Sequence, residues 1–492
     1  MTGKRRLEHL NFDNSYARLP ESWFHSIEPQ PLKHAHLISF NPRVAEHLDL
    51  DACQTQPQDL AHYFGGEGRL PGTQPLAMKY AGHQFGYYNP DLGDGRGVLL
   101  GEVVNQAGQR WDLHLKGSGK TAFSRFGDGR AVLRSSIREY LVSEAMYGLQ
   151  IPSTSALCLV GSESYTQRLG MEPCAMVLRV TPCHIRFGHF EHFYYQKRIP
   201  ELQQLLDYCL SRFYPQYQQA EQPYLAFFTE VARRSARLVA QWQSYGFVHG
   251  VMNTDNMSIL GETFDYGPFT FLDAYDPSHI SNKNDDTGRY AFFRQPAVML
   301  WNLACLAQTL LPFIAREALE SILEAFNDQQ HTYELEIKAQ RLGLHDCDAK
   351  AAELVTELWA WFKQEAVDVT RFLACLSQVP ATELTTSVEL MSFATQGKAR
   401  LQAWLLAYQA RLAQQSLPEP QRLAQMQAVN PRYILRNYMA EEAIRAATEG
   451  DYRLVNQLLA LLRDPYRESS DLAHYAEPPP NWAAAICLTC SS

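Results

Sequence analysis

The most regular stretches of this chain follow a helical period. In AVLRSSIREYLVSEAMYGL, Leu133, Ile137, Leu141 and Ala145 recur every four residues and share one face, and Gly148 can stop the helix. Residues 200–247 read as helical too. From about 291 to 465 the pattern is mostly amphipathic helix, in segments such as AAELVTELWAWFKQEA, KARLQAWLLAYQARLAQQ and YRLVNQLLALL. Strand patterns concentrate between 76 and 190. VLLGEVV and WDLHLK are joined by a polar Asn-Gln-Ala-Gly turn, which predicts a hairpin, and ALCLVGS and CAMVLRVT follow the first helix. Residues 1–75 are loop-rich, with Pro20, Pro29, Pro31, Pro42 and Pro57, and read as an extension wrapped on a domain. The longest apolar run, Val298 to Ile314, contains Asn302, Gln308 and Pro312 and is short for a bilayer, so it predicts a buried core helix. No solenoid-type repeat is visible.

Composition narrows the function classes. Of 492 residues, 46% are hydrophobic and 12% aromatic, enough for a large core. A net charge of −9 argues against a general nucleic-acid binder. The ten cysteines are scattered singly except Cys487 and Cys490, which is no disulfide framework; the tail pair fits a redox disulfide or two reduced thiols equally well. The N-terminus is basic but lacks a following apolar run, so no secretory signal is expected and the predicted location is cytoplasmic, off the membrane.

Candidate chemistry centres on HGVMNTDNMSILGETFDYGPFTFLD, from His249 to Asp273. Asn253, Asp255 and Asn256 cluster, and Asp265 follows in an Asp-Tyr-Gly triplet. Hard oxygen ligands among apolar residues suit Mg²⁺ held against a polyphosphate. The layout resembles the end of a kinase catalytic loop and its metal-binding triplet. Counted from His249, the metal-ligand position is Asn256, but the customary base position is Val251, with Asp255 beside the Asn instead. This predicts either an inactive relative or a different transfer chemistry. Upstream, Gly93-Asp94-Gly95-Arg96 fits a phosphate-covering turn and Lys116 ends a strand as a phosphate-pairing lysine should. Glu139 sits on the first helix, where it would anchor Lys116, and Arg179 and Arg186 leave a strand where they would neutralise a nucleotide's phosphates. Gly117 to Thr121 looks like the end of a P-loop, but His114 stands where its first glycine belongs and no helix pattern follows. Cys183, His184, His189 and His192 lack paired zinc spacing and predict ordinary packing.

The elements together predict an α+β, protein-kinase-like bilobal fold. Its expected parts are an N-terminal extension (1–75), a β-rich N-lobe (76–195), a helical C-lobe (196–345), a helical C-terminal elaboration (346–475) and a flexible Cys-containing tail (476–492).

LGDGRGVLLGE, WDLHLKGSGKTAFSRFGDGRAVLRSSIREYL, HGVMNTDNMSILGETFDYGPFTFLDAYDP and NPRYILRNYMAEEAI closely resemble the selenoprotein O (YdiU-like) family, over nearly the whole chain. The resemblance implies a pseudokinase fold that binds ATP in a flipped orientation, with Mg²⁺ or Mn²⁺, and transfers AMP to protein hydroxyls. It implies nucleotide contacts from Gly93, Gly95, Arg96, Lys116, Asp128, Gly129, Arg179 and Arg186, with Asp265 near the phosphates. It further implies metal ligation by Asn256 and Asp265, proton acceptance by Asp255 and orientation of Lys116 by Glu139. The expected partners are proteins bearing Ser, Thr or Tyr hydroxyls, and the expected state is a monomer. Relatives lock an activation segment to the tail by a disulfide; the corresponding position here is Ser281, which puts that lock in doubt. The competing expectations are UMP transfer by the same site, an aminoglycoside-kinase-type phosphotransferase and a non-catalytic nucleotide-binding scaffold.

Overall fold

The computed structural model describes residues 3–168 and 170–489. Its strands are β1 (Phe24–Ser26), β2 (His36–Phe40), β3 (Leu76–Gln84), β4 (Tyr87–Gly93), β5 (Gly97–Val104), β6 (Arg110–Lys116), β7 (Ala131–Val132), β8 (Ser155–Gln167), β9 (Met171–Thr181), β10 (Phe247–Val248) and β11 (Thr270–Phe271). The first six helices are α1 (Pro42–His47), α2 (Pro57–Phe64), α3 (Leu133–Gly148), α4 (Phe187–Tyr195), α5 (Ile199–Phe213) and α6 (Pro223–Tyr245). The later ones are α7 (Gln295–Leu310), α8 (Arg316–Arg341), α9 (Ala349–Glu365), α10 (Val369–Leu376), α11 (Val388–Ser392), α12 (Lys398–Leu412), α13 (Glu419–Val429), α14 (Asn437–Thr448) and α15 (Arg453–Arg463). The fold is α+β, with the strands early and the helices late.

Among the described residues nine strands share one sheet, in the order β1-β3-β5-β6-β9-β8-β2, with β4 paired to β3 and β7 to β9. The polar turn after Val104 closes the expected hairpin: β5 and β6 pair antiparallel from Gly97 opposite Lys116 to Val104 opposite Arg110. Side chains alternate along β6. Leu113 and Leu115 bury on one face with Val98, Leu100, Leu157 and Leu178, covered by Val44 of α1, Leu48 just after it, and Leu60 and Phe64 of α2. Asp112, His114 and Lys116 therefore point to the other face, the one that α3 covers with Ile137 and Leu141 against Leu159 and Val177.

Residues 1–75 do more than wrap. They supply both edge strands of the sheet, β1 on β3 and β2 on β8. Tyr452, just before α15, and Asn456 within it tie β2 to the far end of the chain through His36 and Ser39.

Two further features position the site. The β10–β11 pair brings Phe247 opposite Phe271, so residues 249–269 form a closed loop. Gly246, at φ +71°, ends α6 in the left-handed conformation that lets the chain turn into β10. The apolar run near residue 300 becomes α7, whose Leu303, Leu306 and Leu310 are fully buried. No helix among the described residues is long and apolar enough to cross a membrane. Helices α9 to α13 build a second core around Trp359, Phe362, Phe372, Trp404 and Leu405. The chain after α15 returns to the first core's edge, where Lys283 N donates to Leu488 O at 3.0 Å. Cys487 is exposed, and Cys490 lies outside the described residues. Ser281 is buried, its hydroxyl bonded to Thr270 Oγ1 at 2.5 Å.

Candidate active site

The oxygen-rich side of the site hangs on the closed loop. His249 is buried; its backbone N–H donates to Gln295 Oε1 at 2.9 Å and its Nε2 lies 3.2 Å from Phe264 O. Burial pulls its imidazole down to about 4, so it is a neutral strut. A 3-10 turn, Thr254–Asn256, follows. Asn256 Nδ2 donates to Val251 O at 3.0 Å, which turns Oδ1 away from that carbonyl. Asp255 is 7% exposed; Gln84 Nε2 donates to its Oδ2 at 3.2 Å, and its buried Oδ1 has no hydrogen-bond partner. Burial raises the Asp255 carboxyl to about 7, with Arg186 opposing. Asp265 sits at φ +55°, a conformation that Asp tolerates better than most residues.

The cationic side comes from the sheet. Lys116 ends β6, and its ammonium pairs with Glu139 Oε2 on α3. Burial lowers Lys116, with Glu139 resisting. Arg179 on β9 reaches Asp265 Oδ1 at 2.5 Å and Glu139 Oε1 at 3.7 Å. Arg186, just before α4, reaches Asp265 Oδ2 at 2.5 Å and donates to Asp255 O at 3.0 Å. Burial works against the Asp265 charge, but Arg186, Arg179 and Lys116 outweigh it and hold the carboxyl well below the usual range. Two strands, a helix, the residue before α4 and the closed loop thus meet in one charged network.

A glycine-rich double turn closes the top. After β4, Gly93 packs so closely on the Phe123 ring that a Cβ there would overlap it, and Ser124 donates to Gly95 O. Thr121 Oγ1 donates to Asp94 O at 2.7 Å. Gly119 N donates to Gly129 O at 3.0 Å, and the next helix begins only at Leu133, so the Gly117–Thr121 stretch is a loop and not a P-loop. Gly129 is at φ +72° against the Gly119 backbone. Asp128 faces Arg168, both of whose terminal nitrogens donate to it at 2.9 Å, and this ties the turn to the β8–β9 hairpin.

These groups face a cavity of about 320 Å³, within the roughly 300–1,000 Å³ range of small-molecule sites. Gly93, Gly95, Arg96, Lys116, Asp128, Gly129, Arg179, Arg186, Asp255, Asn256 and Asp265 all line it; Glu139 stands behind Lys116. Val251, two residues after His249, lines it as well. Leu488 and Thr489 of the tail contribute to the rim. His184 and His189 take the packing roles their spacing predicts: His184 Nδ1 lies 3.0 Å from Asp112 Oδ2, and His189 Nδ1 accepts from Arg186 N at 3.1 Å.

Sequence reasoning passed over Asp94 and His114. Asp94 is not a phosphate-loop surface residue. It is 4% exposed and accepts from Met78 N at 3.0 Å and Tyr80 OH at 3.3 Å. His114 bridges it to the arginines: its Nδ1 accepts from Arg179 Nη2 at 2.9 Å while its Nε2 lies 3.2 Å from Asp94 Oδ2. Burial lowers His114, assisted by Arg179, which keeps it a neutral bridge. The signal for it was the polar alternation Asp112, His114, Lys116 along one strand face.

Known proteins share this sequence at full length. A family profile described as "Protein adenylyltransferase SelO" matches residues 6–463. The chain is 57% identical over 488 residues to a protein of Hahella chejuensis named "Protein nucleotidyltransferase YdiU", covering 99% of both chains. It is 46% identical to proteins of the same name from Myxococcus xanthus and Stutzerimonas stutzeri, covering 99% of this chain and at least 99% of theirs.

Proposed function

The chain belongs to the SelO family of protein nucleotidyltransferases, and from that premise we propose that it moves AMP from ATP onto Ser, Thr or Tyr hydroxyls of proteins, releasing pyrophosphate. The observation that carries this reading is the meeting of Lys116, Arg179 and Arg186 with Asp255, Asn256 and Asp265 around one cavity. In this reading residues 76–195 and 196–345 act as the two lobes of a kinase-like body, with the nucleotide between them.

The acceptor oxygen attacks the α-phosphorus, the bond from that phosphorus to the β-phosphate oxygen breaks, and pyrophosphate leaves. Asp255 takes the hydroxyl proton. Its unpartnered Oδ1 and its carboxyl raised to about 7 support that role, because a base titrating near working pH transfers protons best. Lys116, Arg179 and Arg186 hold the phosphates and the charge that develops on them, with Gly93, Gly95, Arg96, Asp128 and Gly129 closing the turn above. Glu139 keeps the Lys116 ammonium aimed inward. Asn256 and Asp265, both on the cavity wall, would hold Mg²⁺ or Mn²⁺ through hard oxygen donors, Asp265 sharing its carboxylate with Arg179 and Arg186; such an ion would supply positive charge against the phosphates. Val251 supports transfer chemistry other than that of an ordinary kinase, since it offers no base at the usual place.

Incubation of the full chain and a protein acceptor with ATP labelled on the α- or the γ-phosphate tests the reading. Label retained on protein from the α position alone is the expected result. Retention of γ-label would make the protein a phosphotransferase, transfer only from α-labelled UTP would make it a uridylyltransferase, and nucleotide binding without any transfer would make it a scaffold.

A further inference from the structure

Behind the catalytic turn lies a second group of ligand-type side chains. His83 on β3, Glu191 on α4 and Cys305 on α7 each direct one ligand atom to the same point, all within 4.8 Å of one another. Among the described residues no other group of three or more His, Cys, Asp or Glu converges in this way. Glu191 is fully buried, and its Oε1 lies 2.5 Å from His83 Nδ1. Its Oε2 accepts from the Thr254 hydroxyl, and Thr254 Oγ1 in turn accepts from His83 N at 2.7 Å. The His83 side chain is 13% exposed and Cys305 is half-buried, so the group is reachable from outside.

We propose that His83, Glu191 and Cys305 form a binding site for a Zn²⁺-class transition-metal ion, distinct from the oxygen-only site for Mg²⁺ or Mn²⁺. The donor set decides the class. Imidazole, carboxylate and thiolate together are the ligands of Zn²⁺ and are poor for Mg²⁺, which prefers oxygen alone. Three protein ligands leave the fourth tetrahedral position to water, which the partial exposure allows. At ordinary bond lengths of about 2.0–2.3 Å to N, O and S, the ion replaces the proton shared between His83 and Glu191, so the His83 N–H moves to Nε2. The Cys305 thiol loses its proton to solvent as the metal–sulfur bond forms. Burial holds that thiol up at about 12, with Glu191 adding to the effect, so it is a neutral thiol until a metal arrives. The Glu191–Thr254 contact then ties the site to the turn that carries Asp255. The site braces that turn from three separate elements, as outer partners do in other metal sites.

Co²⁺ added to the metal-free full-length protein is the test, because a cobalt–thiolate bond gives a near-ultraviolet charge-transfer band that an oxygen-only site cannot give. The expected result is one such band per chain, displaced by one equivalent of Zn²⁺ and not by excess Mg²⁺, and abolished in Cys305→Ser. Protection of Cys305 from alkylation by Zn²⁺ in the unmutated chain, read by peptide mass spectrometry, gives the same answer should Cys305→Ser fail to fold. Absence of the band in the unmutated protein, its persistence in Cys305→Ser, or unprotected Cys305 at saturating Zn²⁺ would each overturn the proposal.

Discussion

Asp255 and Asp265 stand ten positions apart and are set to opposite protonation habits. Asp265 has two arginines on it, whereas Asp255 has one amide contact and a bare oxygen. Asp255→Asn keeps the shape and removes only the proton acceptor, so transfer falls by about 10²–10⁴-fold while nucleotide affinity stays within a few-fold; paired rate and binding measurements check this. A second carboxyl gives a pH signature away from the cavity. Glu262 is partly buried, accepts from Thr181 Oγ1 at 2.7 Å, and burial raises it to about 7 from 4.5. Below pH 4.5 folded and unfolded chains both hold its proton. Between 4.5 and 7 only the folded chain holds it, so stability falls as pH rises and the loss is complete above 7. The loss is about 1–3 kcal/mol after allowing for partial exposure. Glu262→Gln abolishes that slope, and denaturant unfolding at pH 5 and pH 8 measures it.

At the scale of elements, the proposed function gives the turn from Gly117 to Arg130 the phosphate-holding work that a helix does in a P-loop protein. Its conformation depends on Gly129, which is left-handed and pressed on Gly119. Gly129→Ala costs about 1–3 kcal/mol, and the cost falls on the loop. The expected outcome is a rise of roughly tenfold in the KM for ATP with little change in the thermal midpoint. In the sequence, Lys116, the Gly93–Arg96 turn, the Asp-Tyr-Gly triplet and the 3.6-residue period of α3 are local signals, whereas Asp128 and Gly129 entered only through the family resemblance. The Asp94–His114–Arg179 bridge was not legible, because it exists only once β6 and β9 are in register with His114 opposite Arg179. The alternation along β6 puts His114 on the face of Lys116, but nothing local names its partner on a strand 65 residues away.

On the scale of the molecule, the first 75 residues were the least readable part. FHS and HLISF are too short to show a period, yet they become the two edges of the main sheet. The buried apolar residues of this stretch include Trp23, just before β1, Leu32, between the two strands, and Ile38 of β2, all 5% exposed or less. Removal of residues 1–40 strips both edges at once, leaving unpaired strand backbone on β3 and β8. Such a chain is expected to aggregate and lose its cooperative unfolding transition, as soluble yield and circular dichroism would show.

The joining of β2 to β8 and to α15 sets a timetable for the newborn polypeptide. Residues 36–40 emerge from the ribosome before their partners: the neighbour strand is complete only at Gln167, and Tyr452 follows 416 residues after His36. At roughly 5–20 residues per second, that strand waits tens of seconds for its last support. Until then His36 and Ser39 are without their Tyr452 and Asn456 partners, so this corner of the sheet is fastened last.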